Sequence, residues 1–258
     1  MSNYQIVDLK PWLTGDWMGC KIYMHQTLDS TQAEAKRLVT DSALHGTVVV
    51  ANEQLSGRGR LGREWHSGAD KGVWLSAVIR PEIAIQHLPQ ITLLTALAIK
   101  QTLNDLYGIE VLIKWPNDIY LNRRKLAGIL TEALTVAGAI DCLIVGIGLN
   151  TDVDETATEL ADKRIALEEV LGYQPDKLQL ISILLNRLGE FIDVYEQHGF
   201  APFLEQYRAS LYGKGEEVII DGKLIARISA VNPQGELIVV DVSGFEHTIV
   251  NGEITFMG

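Results

Sequence analysis

Between two β-branched runs, residues 47–51 (TVVVA) and residues 73–79 (VWLSAVI), lies a stretch, residues 52–72, in which apolar residues keep no helical or strand period. A continuous β-branched run is the pattern of a buried strand. The chain therefore places two core strands on either side of a long, glycine- and arginine-rich loop. Loops of that length inside compact domains are uncommon and usually functional, so the chemistry is sought there first.

The loop contains Ser56-Gly-Arg-Gly-Arg-Leu-Gly-Arg63, and within it Gly57-x-Gly59-x-x-Gly62 formally matches the dinucleotide fingerprint. That motif needs a helix opening on it. The sequel here, Glu64-Trp-His-Ser-Gly68, cannot continue as an amphipathic helix, and the Lys-Ser/Thr ending of a P-loop is absent. What remains is a cationic, anion-seeking loop. Glycines let backbone N–H groups approach an anion closely, and the forks of Arg58, Arg60 and Arg63 match carboxylate and phosphate. An ordinary solvated basic loop is the bland alternative. Nucleic acid fits poorly, because interleaved aromatics are lacking and the chain carries 33 acidic against 22 basic residues, a net charge of −11. Such a surface is repelled by phosphate backbones and anionic membranes.

Cys20 and Cys142 are the only cysteines and stand far apart, which suits a reducing compartment and argues against a disulfide framework or a zinc site. Residues 1–19 lack the basic start and apolar run of a secretory signal. The most apolar stretch, residues 83–106, is broken by Gln86, His87, Pro89, Lys100 and Asp105, so no bilayer span is expected. A soluble cytoplasmic protein follows as the expectation.

Along the chain, residues 21–25 read as a strand. Asp29-Ser-Thr then opens a helix, with Thr31 and Glu34 at capping-box spacing. Residues 87–107 repeat Leu88, Ile91, Leu94, Leu97 and Ala98 at the spacing of a core-facing helix. Strands are predicted over 111–115, 118–121, 126–133 and 141–149, and helices over 176–198 and 201–211. Beyond Gly213 the texture changes to short strands, 217–220, 224–231, 237–242 and 247–250, punctuated by Asp221-Gly222, Asn232-Pro233 and Ser243-Gly244. That is the pattern of a small barrel.

Three further motifs carry more than local structure. Lys114-Trp-Pro-Asn-Asp118 sits between two predicted strands; a turn needs Pro-Asn-Asp, but not the lysine and tryptophan. Lys125 in Arg124-Lys-Leu-Ala-Gly128 lies at the mouth of an apolar strand and, taken alone, reads as a surface lysine. Gly146-Ile-Gly-Leu-Asn150 ends a strand with two glycines, either a bulge or a close approach of backbone to ligand.

Together, Asp29-Ser-Thr31, EQxxGRGRxGRxW from Glu53, KWPND, RKLAGIL and GIGLN resemble, in order and spacing, the biotin protein ligase family over residues 21–150. The combination of GRGRxGR with KWPND and KLAGI is specific to that family. The resemblance implies an α+β fold: a mixed sheet with flanking helices, of class II synthetase-like design, over residues 1–211, and a C-terminal SH3-like β-barrel over 212–258. It implies activation of biotin with ATP and Mg²⁺ to biotinyl-5′-AMP, followed by transfer to a lysine of a biotin carboxyl carrier protein of the acetyl-CoA or pyruvate carboxylase type. Homodimerisation stays open, and neither DNA nor membrane is implied as a partner. Two departures stand out. Gln32 replaces the family's usual Asn, and residues 2–17 are too few for the winged-helix unit of the bifunctional members.

The site residues follow from the same resemblance. Ser30, Thr31 and Gln54 are expected at the ureido ring of biotin, Arg60 and Lys125 near its carboxylate and the α-phosphate, and Gln32, Arg58 and Gly59 among the remaining biotin-binding residues. Arg60, Arg63, Trp65, Asn117, Lys125 and Asn150 are expected at the nucleotide. Arg58, Arg60, Lys125 and Asp118 are the expected catalytic groups, Asp118 toward the incoming amine. No direct metal motif appears, so magnesium is expected to arrive on ATP. Ser30 reads equally as a plain N-cap, and Trp65 as core packing. Lipoate or octanoate ligases of similar fold and a biotin-sensing regulator are the alternatives; a wholly apolar tail would leave Ser30 and Gln54 without partners.

Overall fold

The computed structural model describes residue 9, residues 12–157, residue 159 and residues 162–257. Part of the arm over 2–17 therefore lies outside the described residues.

β1 (Lys21–Leu28), α1 (Thr31–Thr40) and β2 (Thr47–Gln54) form a crossover unit in which the two strands pair in parallel. β3 (Gly72–Ile79) follows the arginine loop and returns antiparallel to β2. After α2 (Leu88–Tyr107), a meander of β4 (Leu112–Lys114), β5 (Asp118–Leu121), β6 (Arg124–Val136) and β7 (Ala139–Asn150) completes a seven-stranded mixed sheet of order β1-β2-β3-β7-β6-β5-β4. The β6–β7 hairpin extends beyond both predicted strands, because Ala137 and Gly138 take positive φ in a two-residue turn. α3 (Leu167–Leu171), α4 (Lys177–His198) and α5 (Leu204–Ala209) follow. The single helix expected over 201–211 is split by a 3₁₀ turn at Ala201–Phe203 that contains Pro202.

Side chains alternate across the sheet, and the alternation decides where a site can be. On one face Val73, Leu75, Leu143, Val145, Ile147 and Leu149 join α2 and α4 in the main core. Of the predicted apolar positions of α2, Ile91, Leu94, Leu97 and Ala98 are buried and Leu88 partly so, and the other faces from Gln90 to Ile99 are buried as well. On the other face Val49, Val78, Cys142 and Ile144 pack with Ala35 of α1. α1 covers only part of this second face. Further along β7 the same face carries Gly146 and Gly148, and there it opens into a cavity.

The C-terminal residues form a five-stranded antiparallel sheet of order β11-β10-β9-β8-β12: β8 (Glu217–Ile220), β9 (Leu224–Val231), β10 (Leu237–Asp241), β11 (Glu246–Ile249) and β12 (Ile254–Phe256). The sheet shares one apolar core cluster with the larger unit, Val231, Leu237 and Val239 among its members, and adds polar contacts. Trp115 Nε1 donates to Gly235 O at 3.0 Å, and Gln90 Nε2 to Pro233 O at 3.2 Å. Among the described residues no helix is long and apolar enough to cross a membrane.

Candidate active site

Strand register builds the cavity floor. Lys114 pairs with Asp118, Asp118 with Gly128, Gly128 with Gly148 and Gly148 with Trp74, giving one row across four strand interfaces. The two glycines at its centre leave a trough with charged side chains at one end. Pairing at Gly146 and Gly148 is regular, so the bulge reading of GIGLN is wrong. The close approach is made by side chains of this chain. A Cβ on Gly148 would stand 2.4 Å from Trp65 Nε1, and one on Gly146 would stand 2.6 Å from Gln32 Oε1. Trp65 therefore lies on the Gly128/Gly148 floor, with Lys125 Nζ 5.0 Å from its ring centroid.

One end of the cavity is a neutral hydrogen-bond network. Gln54 Oε1 accepts from the Thr31 backbone N–H (2.8 Å) and hydroxyl (3.1 Å), while Gln54 Nε2 donates to Ser67 Oγ (2.8 Å). Ser76 Oγ lies 2.9 Å from Thr31 Oγ1 and donates to Gln32 Oε1 at 3.0 Å. The capping box is not formed. Ser30 holds the N-cap position with an extended backbone but makes no side-chain cap bond, and Thr31 is already helical. Glu34 pairs with Arg37 instead. The Thr31 hydroxyl is thus turned to the network, and Ser30 lines the cavity without a capping task. Gln32 Nε2 donates to Ile144 O (3.0 Å) and Leu130 O (3.4 Å), so both its amide hydrogens are engaged within the chain.

The other end is cationic. Lys125 Nζ is 2.7 Å from Asp118 Oδ1, both side chains being largely buried. Arg60 donates to Asn117 Oδ1 at 2.9 Å. Burial is the largest influence on the Arg60 guanidinium and lowers its pKa, opposed by Asp118 and Glu253; arginine nevertheless stays a cation. Lys114 lies 5.4 Å from the ring centroids of both Tyr120 and Phe256, and burial likewise pulls its ammonium below the usual lysine value. Arg63 is ion-paired with Glu253. Among the described residues, five cations (Arg58, Arg60, Arg63, Lys114 and Lys125) line the cavity against three carboxylates (Glu64, Asp118 and Glu253), an excess that suits anionic ligands.

Ser30, Thr31, Gln32, Gln54, Arg58, Gly59, Arg60, Arg63, Trp65, Asn117, Asp118 and Lys125 all line this cavity. Asn150 does not. Its amide donates to Ile165 O (3.2 Å) and Lys125 O (3.4 Å), tying the segment after β7 to the strand that carries the lysine. Sequence reasoning passed over Ser67, Ser76, Asn251 and Glu253. Ser67 and Ser76 look like common strand and loop serines, and the other two lie far along the chain. Lys114 was singled out without a role.

The model of the biotin/lipoate A/B protein ligase family matches residues 24–150. The bifunctional ligase/repressor BirA of Bacillus subtilis is 34% identical over 234 residues, covering 89% of this chain and 72% of that protein. The biotin--[acetyl-CoA-carboxylase] ligase of Paracoccus denitrificans is 32% identical over 222 residues, covering 84% and 89%. Among solved structures, the biotin protein ligase of Aquifex aeolicus in complex with biotin and ATP is similar at TM-score 0.81 and 30% identity, over 92% of this chain and 98% of that one.

Proposed function

The chain belongs to the biotin/lipoate A/B protein ligase family, and from that premise we propose that it is an ATP-dependent ligase that joins biotin to a lysine of a carrier protein. The observation that carries the reading is the polarity of one cavity: a neutral network of Thr31, Gln54 and Ser76 at one end, and Arg58, Arg60, Lys114 and Lys125 at the other. A ureido ring brings two donors and one acceptor, which hydroxyls and a carboxamide can meet. The apolar tail of lipoate carries no donor or acceptor to exchange with these groups.

In the first half-reaction a biotin carboxylate oxygen attacks the α-phosphorus, and pyrophosphate leaves. Two anions must meet, and the arginines with Lys125 supply the offsetting charge in a preorganised form. Magnesium arrives on the ATP phosphates. The two carboxylates nearest the cations, Asp118 and Glu253, are already paired with Lys125 and Arg63, so this wall offers cations rather than a metal cage. In the second half-reaction an acceptor amine attacks the acyl carbon and AMP departs. A free lysine is protonated at neutral pH, and in this reading Asp118 exchanges its pairing with Lys125 for the incoming ammonium and takes its proton.

In this reading residues 1–211 form the catalytic unit and residues 212–258 an SH3-like C-terminal unit. The reaction runs in the cytoplasm, on a carrier of the acetyl-CoA or pyruvate carboxylase type. Release of pyrophosphate dependent on biotin, and absent with lipoate, tests the substrate assignment.

A further inference from the structure

Two of the loop arginines are steered from the far end of the chain. Arg60 donates from one terminal nitrogen to Asn117 and from the other to Asn251 Oδ1 at 2.5 Å, across 191 positions of sequence. Asn251 lies between β11 and β12 of the C-terminal sheet. Next to it Gly252, Glu253 and Ile254 line the cavity. This connection is braced: the Glu253 N–H donates to Asp221 Oδ1 at 2.7 Å, and the Asp221 N–H donates to Glu253 O at 3.0 Å.

The chemistry of the two partners differs. Glu253 is an anion and offsets the charge of Arg63, whereas Asn117 and Asn251 are neutral amides. Amide oxygens orient a guanidinium without cancelling its charge, and two acceptors on opposite nitrogens fix its plane. Resting on the ligase reading, we propose that Asn251 is a positioning residue for Arg60, so that the C-terminal sheet sets the geometry of adenylation. Arg60 is then a loop cation held by neutral hydrogen-bond acceptors, whereas Arg63 is ion-paired with Glu253.

The test compares wild type, Asn251→Ala and Asn251→Asp. Asn251 is exposed, so the unfolding temperature stays unchanged in the alanine variant. Its kcat for biotin-dependent pyrophosphate release falls about tenfold, the scale of one charge-assisted hydrogen bond discounted for exposure, with KM for biotin unchanged. The aspartate keeps the acceptor but adds a negative charge: kcat recovers, KM for ATP rises, and added salt narrows the difference. Tryptic cleavage of the substrate-free proteins at residues 58–63 supplies a readout independent of activity, and the alanine variant is cut faster there. A kcat within twofold of wild type, a loss matched by a fall in unfolding temperature, or equal tryptic rates would overturn the proposal. Wild-type protein that releases no pyrophosphate with biotin would instead remove the ligase reading, and the tryptic comparison would still decide the tether.

Discussion

Substituting Gly148 by alanine tests whether the glycine floor exists to seat Trp65. The added methyl would stand 2.4 Å from Trp65 Nε1, 2.5 Å from Cε2 and 2.8 Å from Cζ2. Ordinary contact begins about 1 Å further out, so the indole must retreat by roughly that distance. Overpacking inside a rigid core costs about 1–3 kcal/mol. Trp65 is only half-buried and sits on a loop, so it can yield, and the stability loss stays near the lower figure. For a chain of this length that is a fall of about 2–4 °C in unfolding temperature. The functional loss is larger. The retreating ring carries the segment that holds Lys125 by its face and Ser67 by its neighbouring carbonyl, and displacements near 1 Å cost up to about 10²-fold in rate. Calorimetry and pyrophosphate release on the same preparation measure both. An unchanged rate, or a rate loss no greater than the loss of folded protein, would refute the seating of Trp65 on this floor.

Lys125→Gln should lower adenylation by about 10²–10³-fold, the usual cost of removing one preorganised charge-stabilising group. Its stability in urea titrations should change by less than about 1 kcal/mol, because 29% of the Lys125 side chain remains exposed to screening solvent. Asp118→Asn should spare pyrophosphate release and slow transfer from preformed adenylate by about 10²–10⁴-fold; equal losses in both steps would make Asp118 a structural residue only. Asp154 gives a pH signature. Burial by itself would raise its carboxyl, but hydrogen bonds from Thr156, His66 and Arg164 outweigh burial and hold the group well below its ordinary value of 3.8. A depressed folded pKa means that this stabilisation is complete above the unfolded value and is lost as pH falls below it. Wild type should therefore lose stability from about pH 4 downward, and Asp154→Asn should be less stable at neutral pH with a flatter acid limb in urea titrations.

Much of this site was legible in the sequence because its residues come in short motifs whose composition exceeds what local structure needs. KWPND and the arginine loop are of this kind, and both line the cavity. Long helices were legible from period, α2 and α4 lying within one residue of their predicted bounds, and turn residues fixed the short strands β5, β8 and β9 at theirs. What stayed hidden depends on contacts far apart in sequence. Nothing near Asn251 or Glu253 announces a partner on the arginine loop, since pairing across about 190 positions leaves no local pattern. Asn150 lies outside the cavity lining for a related reason. Its motif ends at the cavity, but strand alternation and the segment at Ile165 turn its amide to backbone carbonyls. Thr31 and Glu34 had capping-box spacing, yet Gln54 and Arg37 claimed their side chains. The helix α3 and strand β12 are too short to show a period.

The central claim, that this cavity activates biotin with ATP and passes it to a carrier lysine, is tested most directly by one incubation. Purified protein is mixed with labelled biotin, MgATP and a biotin carboxyl carrier domain, and the carrier is mapped by peptide mass analysis. The account predicts label on one carrier lysine, stoichiometric release of AMP and pyrophosphate, and no label when lipoate replaces biotin. An unlabelled carrier with no pyrophosphate release, or equal modification by lipoate, would contradict it.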